Sequence, residues 1–349
     1  MRSTHRTYLV MGAALVAALA MTDVRSLGQA AAPQASNDFP NPYKIESFGQ
    51  LPAGRKIGAT YGIDIDRDGK SVWVFERCGG ATCDGSTLAP LLKFDASGKL
   101  IASFGAGIFI FPHGVFVDRD DNIWVTDGQG KNGKGQQVFK FSPTGKVLMT
   151  LGKAGVAGDG PDTFNQPSDV LVAPNGDIFV ADGHGGDSNA RIVKFDKDGK
   201  FIKTWGKKGS GPGEFDTPHG LVMDGQGRLL VADRGNSRIQ VFDQGGKFIA
   251  QWKQFGRPSG IFLDRTGMLY SADSQSNTPN VNPTVKRGVR VGGESDGRVR
   301  YLVPDPDGID PAQGGGREGI AVDRDGIVYV AKTGDGGLYR YTKQSASTR

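Results

Sequence analysis

One phrase recurs six times along the chain, and it constrains the fold more than any other feature. Each copy has an alternating apolar run, a turn such as Asp-x-Asp-Gly or Asn-Gly, and a second alternating run, which is the pattern of a β-hairpin. Four copies continue clearly into further strands, as in residues 190–205 and 237–252, which gives four strands per unit. The copies occupy residues 60–77, 112–127, 167–182, 218–233, 258–273 and 317–332.

The spacing of the copies predicts a β-propeller. Their starts lie roughly 40 to 60 residues apart, which is the period of propeller blades, whereas a parallel β-helix has much shorter repeats. Six four-stranded blades closing in a ring leave only short, protected sheet edges. No segment has a sustained helical period, and 54 glycines supply the many tight turns. We therefore expect an all-β fold, a six-bladed β-propeller of four-stranded blades over residues 46–343.

The first 32 residues have the pattern of an export signal and leader. Arg2 and Arg6 precede an apolar run at 8–21, and small residues at 18–20 or 30–32 offer a cleavage site. The run is short for a bilayer span, so we favour cleavage over a retained anchor and expect no stable membrane insertion afterwards. The prediction is a secreted or periplasmic protein with a flexible linker at 33–45 and a disordered tail at 344–349.

The two cysteines, Cys78 and Cys83, lie close together in a glycine-rich stretch. In an exported protein they are expected to form a small local disulfide, which we favour over a redox or metal role.

The charge balance argues against a nucleic-acid partner. The net charge of +5 includes Arg2 and Arg6, so 5 − 2 leaves +3 after cleavage, and no Lys/Arg block stands out. The sequence leaves the oligomeric state open.

The residue after the repeat's proline varies from copy to copy. In a propeller, the innermost strands surround the central channel, so this position forms a ring. Alternate blades of a six-fold ring lie about 120° apart, and blades two, four and six supply His113, His219 and Glu318. Two imidazoles and a carboxylate are a zinc ligand set, which also suits iron or another divalent metal; ordinary polar lining of the channel is the alternative. The ring reads Tyr61, His113, Ser168, His219, Ser259 and Glu318.

A second ring lies where each blade's second strand ends, and only two blades carry an arginine there. Arg77 and Arg234 could hold a substrate carboxylate in bidentate fashion, or form surface ion pairs with neighbouring aspartates. His184 falls in a glycine-rich loop near the same position of blade three. It is either an acid/base group or a solvated loop residue.

The wording of the repeat resembles the NHL-repeat family of propellers over about residues 50–343, as in GPGEFDTPHGLVMD and VADRGNSRIQVF. Within that family, the segments FPHGVFVD, TPHGLVMD, FERCGG and VADRGNSRI resemble the peptidyl-α-hydroxyglycine α-amidating lyases. The resemblance implies zinc ligation by His113 and His219, substrate contacts from Arg77 and Arg234, and a structural calcium. The implied reaction cleaves the C–N bond of a peptidyl-α-hydroxyglycine to a peptide amide and glyoxylate.

Two positions depart from the family pattern. The family's third histidine falls at Glu318, and the tyrosine to which the family assigns the role of base falls at His184. We therefore expect His113, His219 and Glu318 to hold the metal, His184 or Tyr61 to remove a proton, and the arginines to anchor a small carboxylated or peptidyl substrate.

Two rival classes remain. A non-catalytic NHL propeller would bind a protein or another ligand as a scaffold. A lactonase-like hydrolase built on calcium and carboxylates is disfavoured, because the ring supplies few acids.

Overall fold

Within the residues that it describes, the computed structural model has 24 β-strands, arranged as six four-stranded antiparallel sheets. It describes residues 35–306, 316–334 and 336–344. The six-bladed β-propeller predicted from the repeat is confirmed. The expected signal peptide and leader at 1–32 lie outside the described residues, as does the predicted tail beyond Gln344.

The repeated phrase forms the two strands of each blade that lie nearest the channel. The innermost strands are Thr60–Ile65 (β2), Pro112–Val117 (β6), Pro167–Val172 (β10), Pro218–Met223 (β14), Pro258–Leu263 (β18) and Arg317–Val322 (β22). The second strands are Val72–Glu76 (β3), Ile123–Asp127 (β7), Ile178–Asp182 (β11), Leu229–Asp233 (β15), Met268–Asp273 (β19) and Val328–Lys332 (β23).

Two further strands complete each blade outward. The third strands are Leu91–Phe94 (β4), Gln137–Phe141 (β8), Arg191–Phe195 (β12), Arg238–Phe242 (β16), Gly288–Gly293 (β20) and Leu338–Lys343 (β24). The outer strands are Leu100–Phe104 (β5), Val147–Leu151 (β9), Phe201–Trp205 (β13), Phe248–Trp252 (β17), Val299–Pro304 (β21) and Tyr43–Ser47 (β1).

The last blade joins the two ends of the described chain. Strand β1 pairs antiparallel with β24, with Tyr43 opposite Lys343, and so supplies the blade's outer strand. Part of the stretch expected as a flexible linker is therefore strand. The preceding Asn37 also bonds to blade five, donating to the Thr284 carbonyl and accepting from the Lys286 amide.

Hydrophobic clusters fill the space between neighbouring blades. The second strands are buried along almost their whole length, and one such cluster packs Trp73 and Phe75 of blade one against Val115 and Ile123 of blade two. The innermost strands contact one another around the ring, and β22 contacts β2 to close it. This packing arranges the six inner strands around the channel, with corresponding ends of the strands at the same end of the channel.

Cys78 and Cys83 form the expected disulfide, with Cα atoms 5.1 Å apart. The bridge closes a short loop directly after Arg77, at the end of β3. Among the described residues, no helix has the length and apolar character needed to cross a membrane.

Candidate metal centre

Every inner strand has a β-bulge near its beginning. In blade one the register passes from Thr60 opposite Glu76 to Gly62 opposite Phe75, which leaves Tyr61 without a partner in the ladder. A bulge releases one residue from pairing and re-aims its side chain. The same shift recurs in the other five blades and frees the predicted ring residues, which are therefore brought to one end of the channel.

The glycine after each ring histidine lets the next blade approach closely. A Cβ atom added to Gly114 would lie 2.8 Å from the Ser168 carbonyl oxygen, and one added to Gly220 would lie 2.7 Å from that of Ser259. Real Cβ atoms do not come this close to backbone oxygens, so a larger residue would push the blades apart. In the Pro-His-Gly sequence, the glycine is therefore required for close packing of the blades, whereas the histidine is not required by the packing and is available for chemistry.

The two ring histidines are oriented by the backbone carbonyls of the next blade, which can approach closely because a glycine follows each histidine. Nδ1 of His113 lies 2.6 Å from the Ser168 carbonyl oxygen, and Nδ1 of His219 lies 3.1 Å from that of Ser259. A carbonyl accepts only, so each Nδ1 carries the proton and each Nε2 has a free lone pair. Both Nε2 atoms are buried without a hydrogen-bond partner. A histidine held this way is a typical metal ligand.

His184 is the third histidine at this point. Gly183, Gly185 and Gly186 around it adopt positive φ values, and its amide donates to the Ser188 hydroxyl, which shapes the loop after β11. One ligand nitrogen from each of the three histidines lies within 4.8 Å of the others. Among the described residues, this is the only group of three or more histidine, cysteine or acidic side chains with metal-binding spacing.

All three imidazoles are held neutral. Burial is the main cause that lowers the pKa of His113, His184 and His219 well below the usual value. Arg77 lowers the pKa of His113 and His184 further, and Arg234 lowers that of all three. Neutral imidazole is the form that binds a metal.

Glu318 lies beside this group. Its Oε1 accepts a hydrogen bond of 2.7 Å from Arg234 Nη1 and lies 3.5 Å from His219 Nε2. The geometry therefore groups His184, expected as the base, with the two ring histidines, whereas Glu318, expected as a ligand, is paired with Arg234. Arg234 Nη2 also lies 3.5 Å from His184 Nε2.

The space that His113, His184 and His219 surround is the histidine chamber. Arg77 and Arg234 both face this chamber, but their partners differ. Arg77 donates from Nε to the Pro112 carbonyl, and its guanidinium lies 3.6 Å above the Phe111 ring. Burial lowers the pKa of Arg77 to about 10, which leaves it cationic at neutral pH. Within the described chain no carboxylate pairs with Arg77, in contrast to Arg234, so Arg77 is the cation more available to an anionic ligand.

Tyr61 closes the histidine chamber on the side that faces the interior of the channel. Its ring centroid lies 4.5 Å from those of both His113 and His219, and its hydroxyl donates to Asp169 Oδ2 at 3.2 Å. Burial, followed by the charge of Asp169, raises the pKa of Tyr61 well above its usual value. The phenol therefore stays protonated at neutral pH, which makes it a poor proton acceptor.

Sequence reasoning missed Asp169 and Phe111. Blade three reads Pro-Ser-Asp where blades two and four read Pro-His-Gly, and this break in the pattern is the signal that marks Asp169. Phe111 precedes the repeat, and nothing in its own segment indicates the arginine that lies over it.

The trio suits zinc by donor type and orientation. Nitrogens bound at about 2.1 Å to one tetrahedral zinc lie about 3.4 Å apart. The three ligand nitrogens, which lie within 4.8 Å of one another, would therefore have to draw together by up to about 1.4 Å. The expected structural calcium stays a prediction.

The fold and repeat define the class of protein. The NHL repeat family matches residues 215–242, which contain both His219 and Arg234. A solved gluconolactonase from Xanthomonas campestris aligns over 89% of this chain and 94% of its own with a TM-score of 0.59; at 15% identity, this supports the fold alone. The protein is a six-bladed β-propeller with a match to the NHL repeat at residues 215–242.

Its curated relatives include amidating enzymes. The chain is 36% identical over 203 residues to peptidyl-glycine α-amidating monooxygenase A of Xenopus laevis, a match covering 51% of this chain and 21% of the frog protein. It is 33% identical over 210 residues to a probable peptidyl-α-hydroxyglycine α-amidating lyase of Caenorhabditis elegans, covering 54% of this chain and 57% of the worm protein. The chain thus spans between about a fifth and somewhat over half of these relatives.

Proposed function

We propose that the protein is a metal-dependent carbon–nitrogen lyase acting on an N-acyl- or peptidyl-α-hydroxyglycine. The observation that carries the proposal is the pair of ring histidines, each with Nδ1 fixed by a carbonyl and a buried, unpartnered Nε2 beside His184. Such atoms are costly to bury unless a ligand satisfies them. The similarity to amidating lyases supplies the reaction class.

His113, His184 and His219 would hold the metal, with zinc as the first choice. A bound zinc supplies Lewis acidity that polarises a substrate hydroxyl. Glu318 acts from outside the trio by fixing Arg234 and placing negative charge beside His219. This assignment makes His184 a ligand instead of the base that the sequence suggested, and it moves Glu318 from the ligand set to the support of Arg234.

The two arginines suit the carboxylate of the substrate. Arg77 offers the less engaged guanidinium, held flat against Phe111, and Arg234 is fixed by Glu318 next to the histidines. Anchoring the carboxylate would direct the neighbouring carbinol carbon toward the trio. Small carboxylated substrates and peptidyl substrates both carry this carboxylate, so Arg77 and Arg234 would accept either class.

The bond changes need no oxidant or reductant. The α-hydroxyl loses its proton, its C–O bond becomes the carbonyl of glyoxylate, and the C–N electron pair passes to nitrogen, which takes up a proton as the amide leaves. Burial of His113, His219 and Tyr61 keeps bulk water from the reacting carbon.

The disulfide supports an oxidising location outside the cytosol. We propose export to the periplasm or the medium.

Glyoxylate release from α-hydroxyhippurate tests the proposal. We expect release that chelator abolishes and added zinc restores. A protein that contains metal but releases no glyoxylate would contradict this reaction while sparing the metal centre. A protein with neither metal nor activity would instead support the binding-scaffold alternative.

A further inference from the structure

The channel opens into a second cavity at the end opposite the histidines. Its volume is about 590 Å³, and it lies between the closing ends of the inner strands. Its walls are mainly apolar and come from several blades, with Val117, Leu171, Met223 and Ile320 among the lining residues. Tyr61 and Asp169 form its floor and separate it from the histidine chamber. A concave, largely apolar pocket of this size is typical of small-molecule sites.

Three arginines stand at the mouth of this cavity. Arg67, Arg265 and Arg324 occupy the same turn position in blades one, five and six, which are consecutive around the ring, and all three are exposed lining residues. Within the described residues, none of their side chains forms a salt bridge or hydrogen bond. The mouth therefore presents three available guanidinium groups on one side.

The aspartates that precede these arginines are already engaged. Asp66 accepts from the Trp73 indole and pairs with Lys93. Asp264 and Asp323 accept backbone amides of their own turns, and each also accepts a tyrosine hydroxyl. These carboxylates are held in their turns and blades by the hydrogen bonds they accept, whereas the three guanidinium groups keep their donors available to a ligand at the mouth.

Two carboxyl groups lie deeper, and their state suits an apolar occupant. Asp64 accepts the Val117 amide and Asp169 accepts the Leu221 amide, so each links two blades. Burial raises the pKa of Asp64 to about 7 and that of Asp169 to about 8, so Asp169 is mostly uncharged at neutral pH.

We propose that this cavity binds an amphiphilic carboxylate of the medium-chain fatty-acid type. The alkyl chain would lie along the apolar walls toward Tyr61, and the carboxylate would lie at the mouth among Arg67, Arg265 and Arg324. The apolar walls alone would accept many hydrophobic molecules, and the arginines select those with an anionic end. This site is separate from the histidine chamber and does not depend on the proposed lyase activity.

Calorimetric titration with octanoate, decanoate and dodecanoate tests the proposal on the full chain. We expect one site per chain, with binding tightening roughly three- to four-fold for each added methylene. Replacing the three arginines by serine should weaken decanoate binding roughly ten-fold or more and leave 1-decanol binding unchanged. Met223→Gln, nearly the same size, should weaken both ligands several-fold.

Two control variants keep the cavity and its mouth intact. Lys99, Lys146 and Lys247 are exposed in outer turns of blades one, two and four, and their joint change to glutamine removes the same charge without touching the cavity. That variant should bind decanoate as the wild type does, as should Arg77→Gln, whose change lies in the histidine chamber. Binding independent of chain length, equal loss in both triple variants, or loss in Arg77→Gln would overturn the proposal.

Discussion

The two ends of the channel are made from the same six strands but have opposite chemistry. At the histidine end, a bulge frees one residue per blade, and that residue is Tyr, His, Ser or Glu. At the other end, the inner strands pair with no further register shift, and the apolar residues that line the cavity are mainly Val, Leu, Ile, Met and Phe. The residues paired in the ladder maintain the fold, whereas the bulged residue contributes little to pairing and is free to carry chemistry.

The largest expected effect lies at the histidine end. His219→Ala should lower glyoxylate release more than roughly 100-fold, because loss of a ligand exceeds the typical effect of losing a group that only supports a ligand. Ser259→Ala is the matched control, since it keeps the backbone carbonyl that holds His219 Nδ1. Equal activity in the two variants would contradict a role for the imidazole.

A smaller effect on turnover should follow from changing Arg77 at the histidine end, and none from changing an arginine at the opposite end. Arg77→Gln should lower kcat/KM for α-hydroxyhippurate roughly 10- to 100-fold with metal content unchanged, because it removes charged hydrogen bonds to a carboxylate. Arg67→Gln, at the opposite mouth, should have no effect on turnover. Steady-state kinetics measure both, and a similar loss in the two variants would remove the distinction between the ends.

The glycine that lets blades approach should matter for stability. Gly220→Ala should lower the free energy of unfolding by about 1–3 kcal/mol, because the added methyl would overlap the Ser259 carbonyl. Gly225→Ala, with nothing within 4 Å of the added atom, should change it by less than about 0.5 kcal/mol. Urea unfolding gives both values, and equal values would show that close approach at Gly220 is not required.

In the metal-free protein, the contributions of the two ends to the free energy of unfolding should change with pH in opposite directions. Burial lowers the pKa of His113, so its contribution to stability is lost as pH falls below about 6.5, where the unfolded chain takes up a proton. Burial raises the pKa of Asp169 to about 8, so its contribution is lost as pH rises from about 4 to about 8. Each slope is at most about 1.4 kcal/mol per pH unit.

Urea unfolding between pH 5 and pH 8 resolves these slopes. His113→Gln should reduce the loss of stability on acidification, and Asp169→Asn should reduce the loss on the way to pH 8. If both substitutions shifted the slope of unfolding free energy against pH in the same direction, the opposite titration of His113 and Asp169 would be contradicted.

The repeat made the six blades predictable, because its proline, glycine and alternating residues each have a local structural reason. Strand β1 was harder to find, since a lone strand of five residues carries no copy of the phrase and pairs only with the far end of the chain. The sequence also placed His113 and His219 on one ring.

The partners of those histidines could not be predicted, because they depend on contacts between distant segments. His184 enters from a glycine-rich loop whose path no periodicity describes. Arg234 and Glu318 pair across 84 residues of sequence, and that pairing leads us to place Glu318 beside the proposed trio.

Elemental analysis of purified protein tests the central claim most directly. We predict about one zinc or other divalent ion per chain in the wild type and in Glu318→Gln, and almost none in His113→Ala, His184→Ala or His219→Ala. Full metal content in all three histidine variants would contradict a metal centre. Loss of metal in Glu318→Gln with retention in His184→Ala would restore the ligand set that the sequence suggested.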